Sequence, residues 1–241
     1  MKDTYVAIDL ETTGLSPEKN QILEIGAWKV ENAQVVSHYE TLVQCPHPID
    51  MRIQQLTGIT DEMAAAGIPE QQAVKEMLEF CGNATILGHN IRFDYSFMKA
   101  AALRYGYTYE ADAIDTLKIA KKVLPDVPKR NLEYLCEYFG IETSESHRAL
   151  EDARAAMELY KRLNGVTAQQ TDLFDGEQMF YKTPKKEPIT PAQKKYLGDL
   201  LAYHRLPREA DINSLTKSEA SRKIDEIIRE HGRIQRFRSK F

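Results

Sequence analysis

The chain has 241 residues, 42% of them hydrophobic and 28% charged, which fits a soluble globular protein with one substantial core and a small appendage. No apolar run is long enough to cross a bilayer, and the opening MKDTYVAIDL leads into a strand pattern rather than the apolar stretch of a signal peptide. The three cysteines, Cys45, Cys81 and Cys136, form no CxxC pair, so neither a zinc site nor a disulfide framework is expected, and the expected location is the cytoplasm. The net charge of −4 divides unevenly: residues 182–241 carry 15 Lys and Arg against 8 Asp and Glu, a net of +7, and the remainder carries 17 against 28, a net of −11. A basic tail on an acidic body suggests two units with different partners.

In chain order, Tyr5 to Leu10 reads as a buried strand. Ile22 to Val30 and Gln34 to Val43 read as two more, joined by the turn-like Glu31-Asn32-Ala33. Ala73 to Phe80 has helical spacing, Thr85 to Gly88 is a short strand, and Phe93 to Tyr105 is helical again. A brief strand at Ala113 to Asp115 precedes helices over Leu117 to Val123, Leu132 to Phe139 and Ala149 to Leu163. Strands first and strand–helix alternation afterwards argue for an α/β domain over residues 1–163 with a mixed sheet flanked by helices. Residues 164–188 show no period and read as a linker. Residues 189–241 read as a small basic helical module, with helices over Pro191 to Tyr203 and Lys217 to His231. Thr190 and Thr216 are their N-cap candidates, and Glu219 completes a capping box with Thr216.

Three acidic stretches carry chemistry. In IDLETTGL, Asp9 and Glu11 are two apart at a strand end and so project side by side. Adjacent carboxylates repel unless a cation offsets them, and hard oxygen ligands favour Mg²⁺ or Mn²⁺. The plain alternative is a pair of acids reaching solvent. In HNIRFD, Asn90 is an N-cap candidate and Asp94 falls in the first turns of a helix, where an acid also simply suits the helix dipole. In HRALED, His147 and Asp152 are five residues apart, about 500° on one helix, so they converge only if His147 precedes the helix. Otherwise they are a surface histidine and a surface acid. Ser144 and Ser146 are cap candidates before it.

DLETTG, HNIRFD and HRALED, in this order and spacing, resemble the three motifs of the DEDD exonucleases, histidine subclass. The likeness runs from about Thr4 to Leu163 and extends to LEIGAWKV, LTGIT, DTLKIAKKVLP and NLEYLCEYFGI. The nearest kind is the proofreading exonuclease similar to the bacterial DNA polymerase III epsilon subunit. The resemblance implies a ribonuclease-H-like fold and a metal-dependent 3′–5′ exonuclease that releases nucleoside monophosphates. It implies that Asp9, Glu11, Asp94 and Asp152 hold two divalent cations about 4 Å apart, with His147 taking a proton from the attacking water. It further implies that Thr12, Thr13, Gly14 and Leu15 hold the terminal nucleotide, with His89, Asn90 and Phe93 lining the pocket. A simple turn, a core Phe93 and a buried, hydrogen-bonded His89 are the alternatives for those positions.

Within the expected linker, Gln170, Asp172, Leu173 and Phe174 of QTDLF resemble the pentapeptide by which bacterial replication proteins dock on the sliding clamp. The threonine departs from the commonest form. The other reading is that Leu173 and Phe174 staple the segment to the body. In the tail, Lys194, Lys195, Arg222 and Lys223 are candidates for phosphate contact or for a solvated face. The expected substrate is a single-stranded or frayed DNA 3′ end, with proofreading supplied to a polymerase in trans. One rival is an RNA 3′ exonuclease of the ribonuclease T or oligoribonuclease kind. The other is a non-catalytic nucleic-acid-binding adaptor.

Overall fold

A computed structural model of the protein describes residues 2–143, 148–166, 171–182, 187–207 and 211–234. The chain divides into two compact units, Met1–Tyr181 and Lys182–Phe241.

The first unit opens with strands β1 (Tyr5–Thr12), β2 (Ile22–Glu31) and β3 (Gln34–Leu42). It continues through helices α1 (Met51–Thr57), α2 (Asp61–Ala65) and α3 (Glu70–Cys81), strand β4 (Ile86–Gly88) and helix α4 (Arg92–Arg104). Strand β5 (Asp112–Asp115) follows, then helices α5 (Thr116–Val123), α6 (Leu132–Phe139) and α7 (Ala149–Val166), and strand β6 (Glu177–Gln178). The strand order is β3-β2-β1-β4-β5-β6. β1, β4 and β5 are mutually parallel, while β2, β3 and β6 run antiparallel to their neighbours. This is the mixed, helix-flanked sheet expected of a ribonuclease-H-like α/β domain. The β2–β3 hairpin turns on Asn32 and Ala33, both with positive φ, the hand that matches strand twist.

β1 lies inside the sheet and is covered on both faces, which is why it reads as a continuous apolar run. Its side chains alternate. Val6, Ile8 and Leu10 join the core beneath α3 and α4, with Met77, Tyr95 and Met98. Tyr5 and Ala7 join the opposite core with Leu159 and Tyr160 of α7. Period two therefore sends Asp9 and Glu11 to the α7 face.

Two local expectations change, and two short helices appear that the sequence did not announce. Asn90 is not an N-cap: it takes φ +66°, and the residue preceding α4 is Ile91. The helices α1 and α2 are too short to show a period, and their caps are local, Asp50 accepting from Arg52 N–H and Thr60 from Met63 N–H. Parts of the expected linker belong to the first unit: residues 164–166 lie in α7, and 171–181 form a strap on that unit. Thr171–Phe174 is a single 3₁₀ turn, and Glu177–Gln178 extends the sheet beside β5.

Phe174, which clamp docking requires to be free, is only 1% exposed. Its ring packs on Tyr160 at 5.7 Å, and its carbonyl accepts a 3.0 Å bond from the Tyr160 hydroxyl. Stapling is thus the arrangement found for Phe174, and Gln170 lies outside the described residues.

The second unit contains α8 (Pro191–Tyr203) and α9 (Lys217–His231), opened by capping boxes at Thr190–Gln193 and Thr216–Glu219. Leu197, Leu200, Leu201, Ile224 and Ile227 form its small core. Phe174→Ala should cost about 3–5 kcal/mol in the urea unfolding of the full chain. A loss well under about 1 kcal/mol would mean that the strap does not hold the body together.

Candidate active site

The carboxyl end of β1 brings Asp9 and Glu11 towards the first turn of α7. Carboxylate oxygens of Asp9, Glu11 and Asp152 all lie within 4.8 Å of one another. Asp94 joins from the first turn of α4, where its carboxylate accepts a 3.0 Å bond from the N–H of Leu10, between the two β1 acids. The four acids thus converge from three elements.

Their electrostatics are severe. Asp9 is pushed well above the ordinary carboxylate range, first by burial and then by Asp94, Asp152, Glu11 and Glu24. Glu11 is pushed up to about 8 by burial, Asp152 and Glu24, with Arg148 opposing. Burial pushes Asp94 up to about 8 although the Leu10 N–H favours its ionised form. A cluster of hard, anionic oxygen donors fits a divalent cation.

The approach of α7 depends on three alternate residues of β2. Glu24 is fully buried and accepts from Arg148 Nη2 at 2.7 Å, from Arg148 Nε at 3.0 Å and from the Ala149 N–H at 3.0 Å. It satisfies an N–H that the helix itself leaves without a partner. Gly26 sits opposite Asp9 in the sheet, and a Cβ there would lie 2.1 Å from the backbone nitrogen of Leu150, so only glycine lets the helix come this close. Trp28 Nε1 donates to the Leu150 carbonyl at 2.9 Å. Glu24, Gly26 and Trp28 all belong to LEIGAWKV. Period two within that stretch is the signal of the anchor, which the motif acids alone do not reveal.

The other expected site residues divide. The Thr12 hydroxyl donates to the Gly14 carbonyl, and the Thr13 hydroxyl accepts from Gln21 N–H, so both serve the loop. Leu15, 86% exposed, presents an apolar side chain at the loop tip. The two ring nitrogens of His89 lie 2.9 Å from Thr116 Oγ1 and 2.8 Å from the Arg130 carbonyl, and burial lowers its pKa. It is the buried hydrogen-bonder. Phe93 is half-buried against Phe97. Asn90 is exposed, its N–H bound to Asp115. His147, Ser144 and Ser146 lie outside the described residues; α7 begins two residues after His147.

Comparison with known proteins gives a family and a fold. The profile of a family described as Exonuclease (RNase_T) matches residues 6–160. A DNA polymerase III subunit epsilon of Aquifex aeolicus is 35% identical over 161 residues, covering 66% of this chain and 80% of the relative. A PolC-type DNA polymerase III of Caldanaerobacter subterraneus is 36% identical over 163 residues, covering 68% of this chain and only 12% of that polymerase. Escherichia coli exonuclease I in complex with a dA16 oligonucleotide superposes with a TM-score of 0.62 at 22% identity, covering 72% of this chain and 42% of that one. Exonuclease X in complex with 5′-overhanging duplex DNA gives 0.56 at 22%, covering 70% and 96%. Among the described residues, no helix is long and apolar enough to cross a membrane.

Arg148→Met leaves buried Glu24 without its cation and should cost about 3–5 kcal/mol. It should also weaken Mg²⁺ binding, read by calorimetry, because Asp152 rides on the helix that Arg148 fixes. Unchanged stability and affinity would disprove the anchoring role.

Proposed function

Because the chain belongs to the Exonuclease (RNase_T) family, we propose that it is a 3′–5′ exonuclease that hydrolyses the terminal phosphodiester of single-stranded or frayed DNA. The observation that carries the reading is the convergence of Asp9, Glu11 and Asp152 on one face, with Asp94 tied to the backbone between the first two. These four acids would hold two divalent cations, Mg²⁺ or Mn²⁺. Bound there, the cations would lower the pKa of water and offset charge on the phosphoryl oxygens.

The chain's own residues do the rest. The Leu10 N–H orients Asp94. The Glu24–Arg148 pair, with Gly26 and Trp28, sets the distance of Asp152 from β1. Leu15 offers an apolar surface to the terminal base, within a loop that its own threonine hydroxyls brace. His147 precedes the anchored Arg148 by one residue and is the base in this reading, its imidazole nitrogen taking the proton of the attacking water. The 3′ oxygen leaves as water adds to phosphorus, giving a nucleoside 5′-monophosphate and a chain one nucleotide shorter.

The epsilon-subunit and PolC relatives support a role in replication proofreading or repair beside a polymerase supplied in trans. Docking of QTDLF on a sliding clamp would require Phe174 to leave its place on Tyr160. The basic side chains of α8 and α9 are candidates for added, salt-sensitive contact with the nucleic acid.

The test is degradation of a 5′-labelled, 3′-mismatched DNA primer and of the equivalent RNA, with Mg²⁺ and with EDTA. Stepwise DNA loss that vanishes with EDTA and in Asp9→Ala is expected. His147→Ala should lower the rate about 100- to 10,000-fold, and the wild-type rate should fall on acidification through about pH 6–7. Preference for RNA would reassign the substrate. No degradation of either would reject the enzyme reading, and an intact rate in His147→Ala would reject the base.

A further inference from the structure

A cleft of about 400 Å³ shares the first turn of α4 with the acidic cluster: Arg92 lines the cleft, and Asp94 lies two residues on. The volume falls in the ~300–1,000 Å³ range of ligand sites. Its walls are the turn at Asn90–Arg92, the first turns of α5 at Leu117–Lys121, and Phe180 of the strap. The strap lies beyond the 6–160 stretch that the family profile matches.

The cleft has a defined charge. Asp115 lines it, but its carboxylate accepts from the N–H groups of Asn90 and Leu117. Glu177 lines it too, but pairs with Lys118. Arg92 and Lys121 remain, both exposed and neither part of an ion pair among the described residues. Asp115 keeps its charge in those bonds, so Arg92, Lys118 and Lys121 against Asp115 and Glu177 leave the lining with a net charge of +1.

The cleft also has a fixed aromatic face. Phe180 is 73% exposed, yet its neighbours on both sides are pinned. Met179 is buried, and its N–H donates to the Ala111 carbonyl at 3.0 Å. Tyr181 packs on the core and donates its hydroxyl to Glu18 at 2.8 Å, on the loop that follows Leu15. Alternation along the extended strap turns 179 and 181 inward and 180 outward. The backbone around this ring is ordered before any ligand arrives, so binding there loses little entropy.

An aromatic face beside two cations is the pairing that single-stranded nucleic acid uses, with bases stacked on the ring and phosphates against the charges. Resting on the exonuclease reading above, we propose that this cleft holds one nucleotide of the single-stranded 3′ segment, upstream of the bond that is cut. Phe180 stacks on its base, and Arg92 and Lys121 meet the backbone phosphates on either side. The subsite is indifferent to base identity and acts only on substrates long enough to reach it.

The experiment compares the full chain with Phe180→Ala and with the double variant Arg92→Gln, Lys121→Gln on two substrates. One is a single-stranded DNA of about a dozen nucleotides. The other is the p-nitrophenyl ester of thymidine 5′-monophosphate, which cannot reach the cleft. Each variant should raise KM for the oligonucleotide about tenfold and leave ester hydrolysis unchanged. The double variant should also reduce the slope of log affinity against log salt by about 1.4. An unchanged oligonucleotide KM, or equal losses on both substrates, overturns the proposal. If the wild type hydrolyses neither substrate, the exonuclease reading fails instead. The cleft is then judged by oligonucleotide binding in EDTA, where Phe180→Ala must still weaken affinity about tenfold.

Discussion

Everything in the first unit is arranged around mutual repulsion between carboxylates. Asp9, Glu11, Asp94 and Asp152 are drawn together; burial raises the pKa values of Asp9, Glu11 and Asp94, and the neighbouring carboxylates raise those of Asp9 and Glu11 further. A fold that gained nothing from this would let the acids part. Here the surrounding contacts hold them in place. β1 is paired with β4 at Val6 and Ala7 and with β2 along its whole length, which fixes the backbone that carries Asp9 and Glu11. Asp94 is bound by a backbone N–H of that same strand. Asp152 is carried by a helix that an ion pair, a missing Cβ and an indole N–H draw against β2. The rigidity keeps the acids ready for cations to offset their charge.

Much of this was legible in the sequence because the motifs sit on elements with strong periods. β1 and α7 announce themselves by apolar spacing, and the i, i+2 rule correctly sends Asp9 and Glu11 to one face. Both tail helices were legible from their amphipathic pattern and their N-cap threonines, with the capping box seen at Thr216 but not the one that Gln193 completes at Thr190. The misses have physical causes. α1 and α2 span two turns or fewer, too little for a period to emerge. Asn90 has the chemistry of an N-cap, but a positive φ and the bond from its N–H to Asp115 put it in the preceding turn. Glu24, Gly26 and Trp28 act through α7, distant in sequence, so nothing local marks them beyond their alternation.

The strap is the most instructive error. Residues 171–181 lack a period because they pack one side chain at a time: Phe174 on Tyr160, Met179 into the core, Tyr181 on Glu18. Irregular backbone whose apolar residues follow no repeat looks like a linker when only spacing is read. A short motif such as QTDLF then invites a partner, although its phenylalanine is taken up by the chain's own core. The same pinning that buries Phe174 and Met179 leaves Phe180 outside, beside Arg92 and Lys121.

The central claim is that the acids are held partly protonated until divalent cations replace the protons. Glu11 and Asp94, pushed up to about 8, bind more protons in the folded chain than in the unfolded one. The stability of the cation-free protein must therefore fall as pH rises between about 4 and 8. Cation binding near neutrality must expel those protons. The direct measurement is calorimetric titration of the full chain with Mn²⁺ in buffers of different ionisation enthalpy. At about pH 7 the account predicts release of roughly one proton or more per chain, fading towards zero above about pH 9. Heat that is independent of the buffer at about pH 7 would contradict it.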